Sequence, residues 1–296
     1  MAHEITRILA AFSKTAWFMH PSKAEQIIAM LEMRASGPFE KPAGTRPAAE
    51  PEKNGKIAIL KLQGTILPRT SLDLSDPGGV SLVAFQGQFR SVANDTNVKA
   101  IILEIDSPGG QVDLVPETVA MIRAAKRADR PIIAIANTMA ASAAYWIASA
   151  ADELVVTPSG EVGSIGVYML HQDVSQALEA EGVKMTFISS GPRKTEGSPF
   201  EPLDDVALAA LQVSVADYYD MFTKDVAKAR GVPVSVVRAD PEKSEQHFGG
   251  GRCYTAKRAV ALGMADRVAT LEETITRVSR KSARRTDIAR RRLALA

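Results

Sequence analysis

Short apolar runs punctuate the chain at 57–62, 100–105, 132–136, 153–157 and 184–189. Between them lie segments whose apolar residues recur at helical spacing, near 80–93, 112–128, 142–150, 173–181 and 204–229. A run such as Ala100-Ile101-Ile102-Leu103 lacks polar alternation, which marks a strand covered on both faces. Strands alternating with helices imply parallel pairing and right-handed crossovers, hence an α/β core. No repeat of fixed period is present.

The stretch from Pro131 to Ala151 carries no charge, and a hydropathy window would take it for a membrane span. Its punctuation points elsewhere: a buried strand over Ile132 to Ala136, a loop over Asn137 to Ala141 and a buried helix over Ser142 to Ala150. The expectation is a soluble protein with no membrane span. Near the N-terminus, Arg7 and Lys14 interrupt the apolar residues, and Ile5, Leu9, Phe12 and Trp17 suit an amphipathic helix better than an exported leader. Residues 1–33 therefore read as a helical arm, and 34–54, with Pro38, Pro42, Pro47 and Pro51, as a linker. The body is assigned to 55–276 and a basic tail to 277–296.

Composition narrows the chemistry. With 296 residues, 46% of them hydrophobic, the chain can bury a sizeable core. Its single cysteine, Cys253, excludes an internal disulfide and zinc sites built from paired cysteines, and suits a reducing compartment. Gly249-Gly250-Gly251-Arg252 lacks the Gly-Lys-Ser/Thr element of a phosphate loop, and there is no His-Glu-x-x-His motif, so neither cofactor nor metal is expected. The formal net charge of +2 hides an asymmetry: beyond position 276 the tail holds eight basic residues against Asp287. Such a tail could bind nucleic acid or an acidic protein, or be a solvated helical extension.

Candidate chemistry centres on Ser142, in Met139-Ala140-Ala141-Ser142-Ala143-Ala144-Tyr145-Trp146, and Lys194, in Gly191-Pro192-Arg193-Lys194-Thr195. A serine hydroxyl is a poor nucleophile until a base takes its proton, and a lysine amine serves as that base where burial disfavours its charged form. Upstream, the apolar run through Ile105 ends in Asp106-Ser107-Pro108-Gly109-Gly110, which reads as a strand delivering a flexible loop. The unshielded amides of Gly109 and Gly110, with that of Ser142, can form an oxyanion hole, each donor typically worth roughly 3–4 kcal/mol. Plainer readings stand beside these: Ser142 as a helix N-cap and Lys194 as a surface charge.

These stretches, with the serine segment from Ala140 to Asp152, Gly163-Ser164-Ile165-Gly166-Val167 and Gly251-Arg252-Cys253-Tyr254-Thr255-Ala256, give the chain a resemblance over roughly 56–270. It resembles the signal peptide peptidase A (protease IV) family of serine peptidases and, within it, the phage capsid maturation proteases of the lambda protein C type. The resemblance implies a Clp protease/crotonase-like fold, Ser142 as nucleophile, Lys194 as general base, Ser164 as the hydroxyl that orients the lysine, and a glycine near Gly109 as oxyanion donor. It also implies a homo-oligomer whose sites face an enclosed space, acting on scaffold, portal or capsid proteins in the host cytoplasm or the prohead. One departure is visible: Ala143 and Ala144 stand where many members carry two glycines.

Four alternatives remain open at this point. A cellular signal-peptide-degrading peptidase would share every motif. A Ser/His/Asp triad would draft His171 with Asp204 or Asp205. A crotonase-like acyl-thioester enzyme would use the glycine loop with Glu104 or Asp106. A non-catalytic head assembly protein would act through its basic tail.

Overall fold

The computed structural model describes residues 17–19, 50–69 and 79–281. The rest of the arm and most of the tail and linker lie outside them. Two sheets organise the body. The strands are β1 (Trp17–Met19), β2 (Glu52–Asn54), β3 (Ile57–Gln63), β4 (Ile66–Leu67), β5 (Val80–Ser81), β6 (Ala100–Ser107), β7 (Gly109–Gln111), β8 (Ile132–Ala141), β9 (Glu153–Val156), β10 (Glu161–Gly163), β11 (Cys253–Thr255) and β12 (Arg267–Val268). The larger sheet runs β11-β10-β8-β6-β3-β2, with β9 joined to β8 and β12 to β9. Its central pairings are all parallel, and only β2 against β3 and β11 against β10 are antiparallel. The α/β class expected from the alternation is observed.

Parallel strands covered on both faces explain the apolar runs. Along β6, Ile101, Leu103 and Ile105 point into the main core, while Ala100 and Ile102 join Ile57, Ile59, Ile133, Ile135 and Val155 on the opposite face. The first face is covered by α1 (Leu82–Asn94), α2 (Val115–Ala124), α3 (Ala143–Ser149) and the C-terminal end of α5 (Asp205–Arg230). A short α4 (Ser175–Ala180) precedes α5, and α6 (Val234–Arg238) and α7 (Ala256–Ala261) follow it. The second face is closed by a further helix, α8, over 271–281, through Leu271, Ile275 and Val278. The boundary drawn at 276/277 thus falls inside a helix, where Arg277 pairs with Glu153 at 2.9 Å and Val278 is buried. The linker boundary shifts too, because 52–54 pair with β3.

Several expectations about elements fail: Trp17–Met19, read within a helical arm, form strand β1 paired to β7. The loop expected over Asn137 to Ala141 is strand: β8 runs on to Ala141, its far edge pairing with β9 through Ala136 and with β10 from Met139. Extra residues are absorbed in a bulge against β6, where Thr138 takes φ 107. The strand expected over 184–189 is absent. Those residues are exposed, with Ile188 at 99%, and pair with no strand among the described residues. In the same region Leu170, Met185 and Phe187 are exposed, as are Val206, Leu208 and Val213 on the first half of α5. No helix among the described residues is long and apolar enough to cross a membrane.

Candidate active site

Ser142 is the hinge between β8 and α3. Its backbone takes φ 56 and ψ −119, a region that residues with a side chain seldom visit and that typically costs on the order of 1–3 kcal/mol. The chain turns sharply there because strand and helix are both fixed. The Ser142 amide donates to Gly163 O at 2.7 Å, and Ser142 O accepts from the Trp146 amide at 3.0 Å. Every residue of α3 is buried. The Trp146 indole donates to Asp225 at 2.9 Å and stacks on Phe222 at 4.7 Å, while the Tyr145 hydroxyl donates to Met264 O at 2.9 Å. Arg123 holds Asp225 from the other side.

In this setting the Ser142 hydroxyl is 1% exposed and has no hydrogen-bond partner among the described residues. It makes no capping bond to α3. The N-cap reading therefore fails: the oxygen is kept in a strained, buried position without a structural task, which is where strain and unsatisfied polarity point to chemistry.

Ser164 is set beside it by sheet register. Gly163 pairs with Ala141 on one side and with Cys253 on the other, which brings the following Ser164 next to Ser142. Ser164 takes φ 55, is buried, and donates its amide to Arg252 O at 2.9 Å. A side chain at Gly163 would meet that carbonyl at 2.4 Å, so only glycine fits. The Gly249-Gly250-Gly251-Arg252 turn finds its use here. His247 Nδ1 accepts from the Gly249 amide at 3.2 Å and the Arg252 amide donates to Gly249 O at 3.0 Å, which presents the Arg252 carbonyl to Ser164.

The glycine segment is a strand, not a loop. Gly109 and Gly110 lie in β7, within a second sheet of order β1-β7-β4-β5. The Gly109 amide donates to Ser107 Oγ at 3.2 Å, and Ser107 Oγ donates to Gly64 O at 2.7 Å. The expectation that the Ser142 amide joins an oxyanion hole is corrected, since that amide is bound to Gly163 O. The sequence reading passed over the Ala143 amide, next after the serine, which is the donor a strained strand-to-helix elbow presents.

Lys194 is not brought to the serine. It lies on an exposed, turn-rich segment, its amide donating to Gly191 O at 3.2 Å, beside the Arg193–Glu196 ion pair. The competing assignments gain no contact with Ser142 either. His171 Nε2 lies 3.1 Å from Ser198 O, and Asp204 caps α5 by accepting from the Ala207 amide at 2.7 Å, with Asp205 exposed in the first turn. Glu104 is buried and accepts from Asn137 at 2.8 Å, and Asp106 accepts from Thr138. Burial pushes the Cys253 thiol up to about 12, with Glu161 adding to it, so the one sulfur here is a poor nucleophile at neutral pH. No group of three or more His, Cys, Asp or Glu side chains among the described residues is placed to hold a metal ion.

Comparison with known proteins gives this geometry a setting. The sequence model of peptidase family S49 matches residues 124–284, which includes Ser142, Ser164 and Lys194. The chain is 33% identical to the capsid assembly protease C of Escherichia phage lambda, over 79% of this chain and 51% of that protein. It is 29% identical to the head-tail preconnector protein GP5 of Enterobacteria phage P21, over 79% and 44%. With a putative signal peptide peptidase SppA of Enterococcus faecium it shares 28% identity over 76% and 63%. The chain thus spans about half the length of the phage relatives it matches.

Proposed function

Since the chain belongs to peptidase family S49, we propose that it is a serine endopeptidase in which Ser142 attacks the scissile carbonyl and Lys194 is the general base. The observation that carries this reading is the Ser142 hydroxyl, buried, strained and unpartnered at the start of α3. The Lys194 amine takes the hydroxyl proton as the oxygen attacks and returns it to the leaving amine. The acyl-serine is then hydrolysed by water activated the same way. Ser164 orients the lysine. The amides of Ala143 and of Gly109 or Gly110 receive the oxyanion, Gly109 exchanging its bond to Ser107 Oγ for the stronger charged acceptor.

The base requires a second step, association. Lys194 lies on an exposed segment that does not reach Ser142, and a general base must be within hydrogen-bond reach of the proton it takes, so the segment must be brought to a serine before it can act. The exposed apolar residues around it, Met185, Phe187 and Ile188, and those on the first half of α5 form a surface that suits a homo-oligomer. Assembly buries this surface and desolvates the lysine at a serine site.

The substrates we infer are prohead scaffold, portal and capsid proteins, supported by the two phage relatives, with the host cytoplasm or the prohead as the place of action. The basic tail would recruit acidic scaffold or nucleic acid. A cellular signal-peptide-degrading role is the second reading, favoured by the likeness to signal peptide peptidase. Co-expression with capsid and scaffold proteins, comparing the unaltered chain with Ser142→Ala, decides: processing lost in the variant supports the phage role. Hydrolysis of short apolar peptides without processing of head proteins supports the cellular one. A fluorophosphonate probe that fails to label Ser142 removes the peptidase reading altogether.

A further inference from the structure

Strand β7 lies close in the fold to Ser142. Ser107, two residues before β7, lies opposite Ala140, two residues before Ser142, and β7 packs on α3. One side of β7 is taken by β4, where Gly110 pairs with Ile66. The other side is taken by the arm: β1 runs antiparallel along it with Trp17 opposite Gln111, Phe18 opposite Gly110 and Met19 opposite Gly109. Removed from β1, that side of β7 would be a free row of amides and carbonyls, the kind of edge that captures an extended peptide by main-chain bonds whatever its side chains.

We propose that Trp17–Met19 is an internal competitor for substrate, a segment of the chain seated as a strand on the edge that an incoming peptide must use. The inference rests on the peptidase reading, because the edge matters only if a carbonyl has to be presented to Ser142. A peptide whose carbonyl is offered to the serine and to the Gly109 or Gly110 amide must lie along β7, and there it meets β1. The two cannot pair with the same edge. Being tethered, the arm competes as an intramolecular ligand, so it shields the site from weak substrates and yields to strong ones.

The test uses the full-length protein. Phe18→Pro, and separately Trp17→Pro with Met19→Pro, remove amides from the ladder, whereas Phe18→Ala leaves the main chain intact. An arm seated nine-tenths of the time raises KM about tenfold, so the proline variants should lower KM for a short apolar chromogenic peptide by about that factor with kcat unchanged. They should also speed amide exchange along the edge of β7 that faces β1, and Phe18→Ala should do neither. Proline variants with unaltered KM and exchange, or with lowered kcat, overturn the proposal. Hydrolysis that ignores the prolines sinks the arm alone, whereas an unaltered protein that neither cleaves peptide nor labels at Ser142 sinks the peptidase reading and this inference with it.

Discussion

Ser142 and Lys194 occupy opposite kinds of protein. Around the serine, β8, β10 and α3 fix every neighbouring backbone group, and Trp146, Phe222, Asp225 and Arg123 tie α3 to α2 and α5. Around the lysine, from about 183 to 194, the chain makes local turns, leaves apolar side chains in solvent and forms no strand. On the proposed mechanism, the nucleophile would be built by folding and the base completed by association. Activity and stability should therefore separate when one region is altered and not the other.

The largest effect should come from the rigid side. Ser142→Ala removes the nucleophilic oxygen and little else, and turnover should fall by roughly 10⁶, the scale of a lost nucleophile in another serine protease. Because it also removes an unpartnered buried hydroxyl and leaves a smaller residue in a strained turn, its melting temperature should stay close to that of the unaltered protein. A variant that keeps substantial activity once purified would break the comparison at its root.

On the exposed side of the proposed chemistry, Lys194→Ala and Lys194→Arg should each cost about 10²–10⁴ in turnover, since guanidinium does not give up its proton in usable pH. His171→Ala should stay near full activity. The opposite ranking would transfer the base to His171. Ile188→Glu should act through assembly: sedimentation should shift toward smaller species and turnover should drop by a similar factor, with thermal stability of the single chain unchanged. If Ile188→Glu instead melts the body or leaves assembly and activity intact, the segment is not the interface.

Next in size, Gly163→Ala forces a methyl group toward the Arg252 carbonyl, and the overpacked turn should lose about 1–3 kcal/mol of stability and misplace Ser164. Denaturant unfolding measures the first and peptide turnover the second. The smallest effect is a pH limb. Burial alone would raise Asp266, but hydrogen bonds from Arg230 and from the Leu154 amide outweigh it and hold its carboxyl below the ordinary range. A lowered carboxyl stabilises the fold above its unfolded value and loses that contribution as pH falls through the folded one. Unfolding curves from pH 5 to 2 should show this loss, and Asp266→Asn should flatten it.

How much of this was legible in the sequence depended on where the cause lay. The strands at 57–62, 100–105 and 153–157 were readable because burial on both faces writes itself as continuous Ile, Leu and Val. The end of β8 was not, since Asn137, Ala140 and Ala141 have weak strand preference and this end is held by pairing with β6 and β10. The strand expected at 184–189 does not form: a short apolar run alone does not fix a strand, and those residues stay exposed. Ser142 was found by its companions. Its strained backbone, the loss of its amide to Gly163 and the carbonyl that Arg252 offers Ser164 come from register between distant segments, which no local pattern reports. The arm read as separate from the catalytic body, yet Trp17–Met19 pairs with β7.

Helix α8 has a bearing on timing. Among the described residues, the face made by Ile57, Ile59, Ala100, Ile102, Ile133, Ile135 and Val155 is closed by Ala269, Leu271, Ile275 and Val278, the latest-made residues of that core. During synthesis at about 5–20 residues per second, the sheet that carries Ser142 is exposed on one side until this helix leaves the ribosome. A nascent chain stalled before residue 271 should therefore be protease-sensitive and unlabelled by a serine probe, and one extended past 281 should resist digestion. The proposed activity would then be withheld from the growing chain, and from neighbours on the same polysome, by the order in which its residues are made.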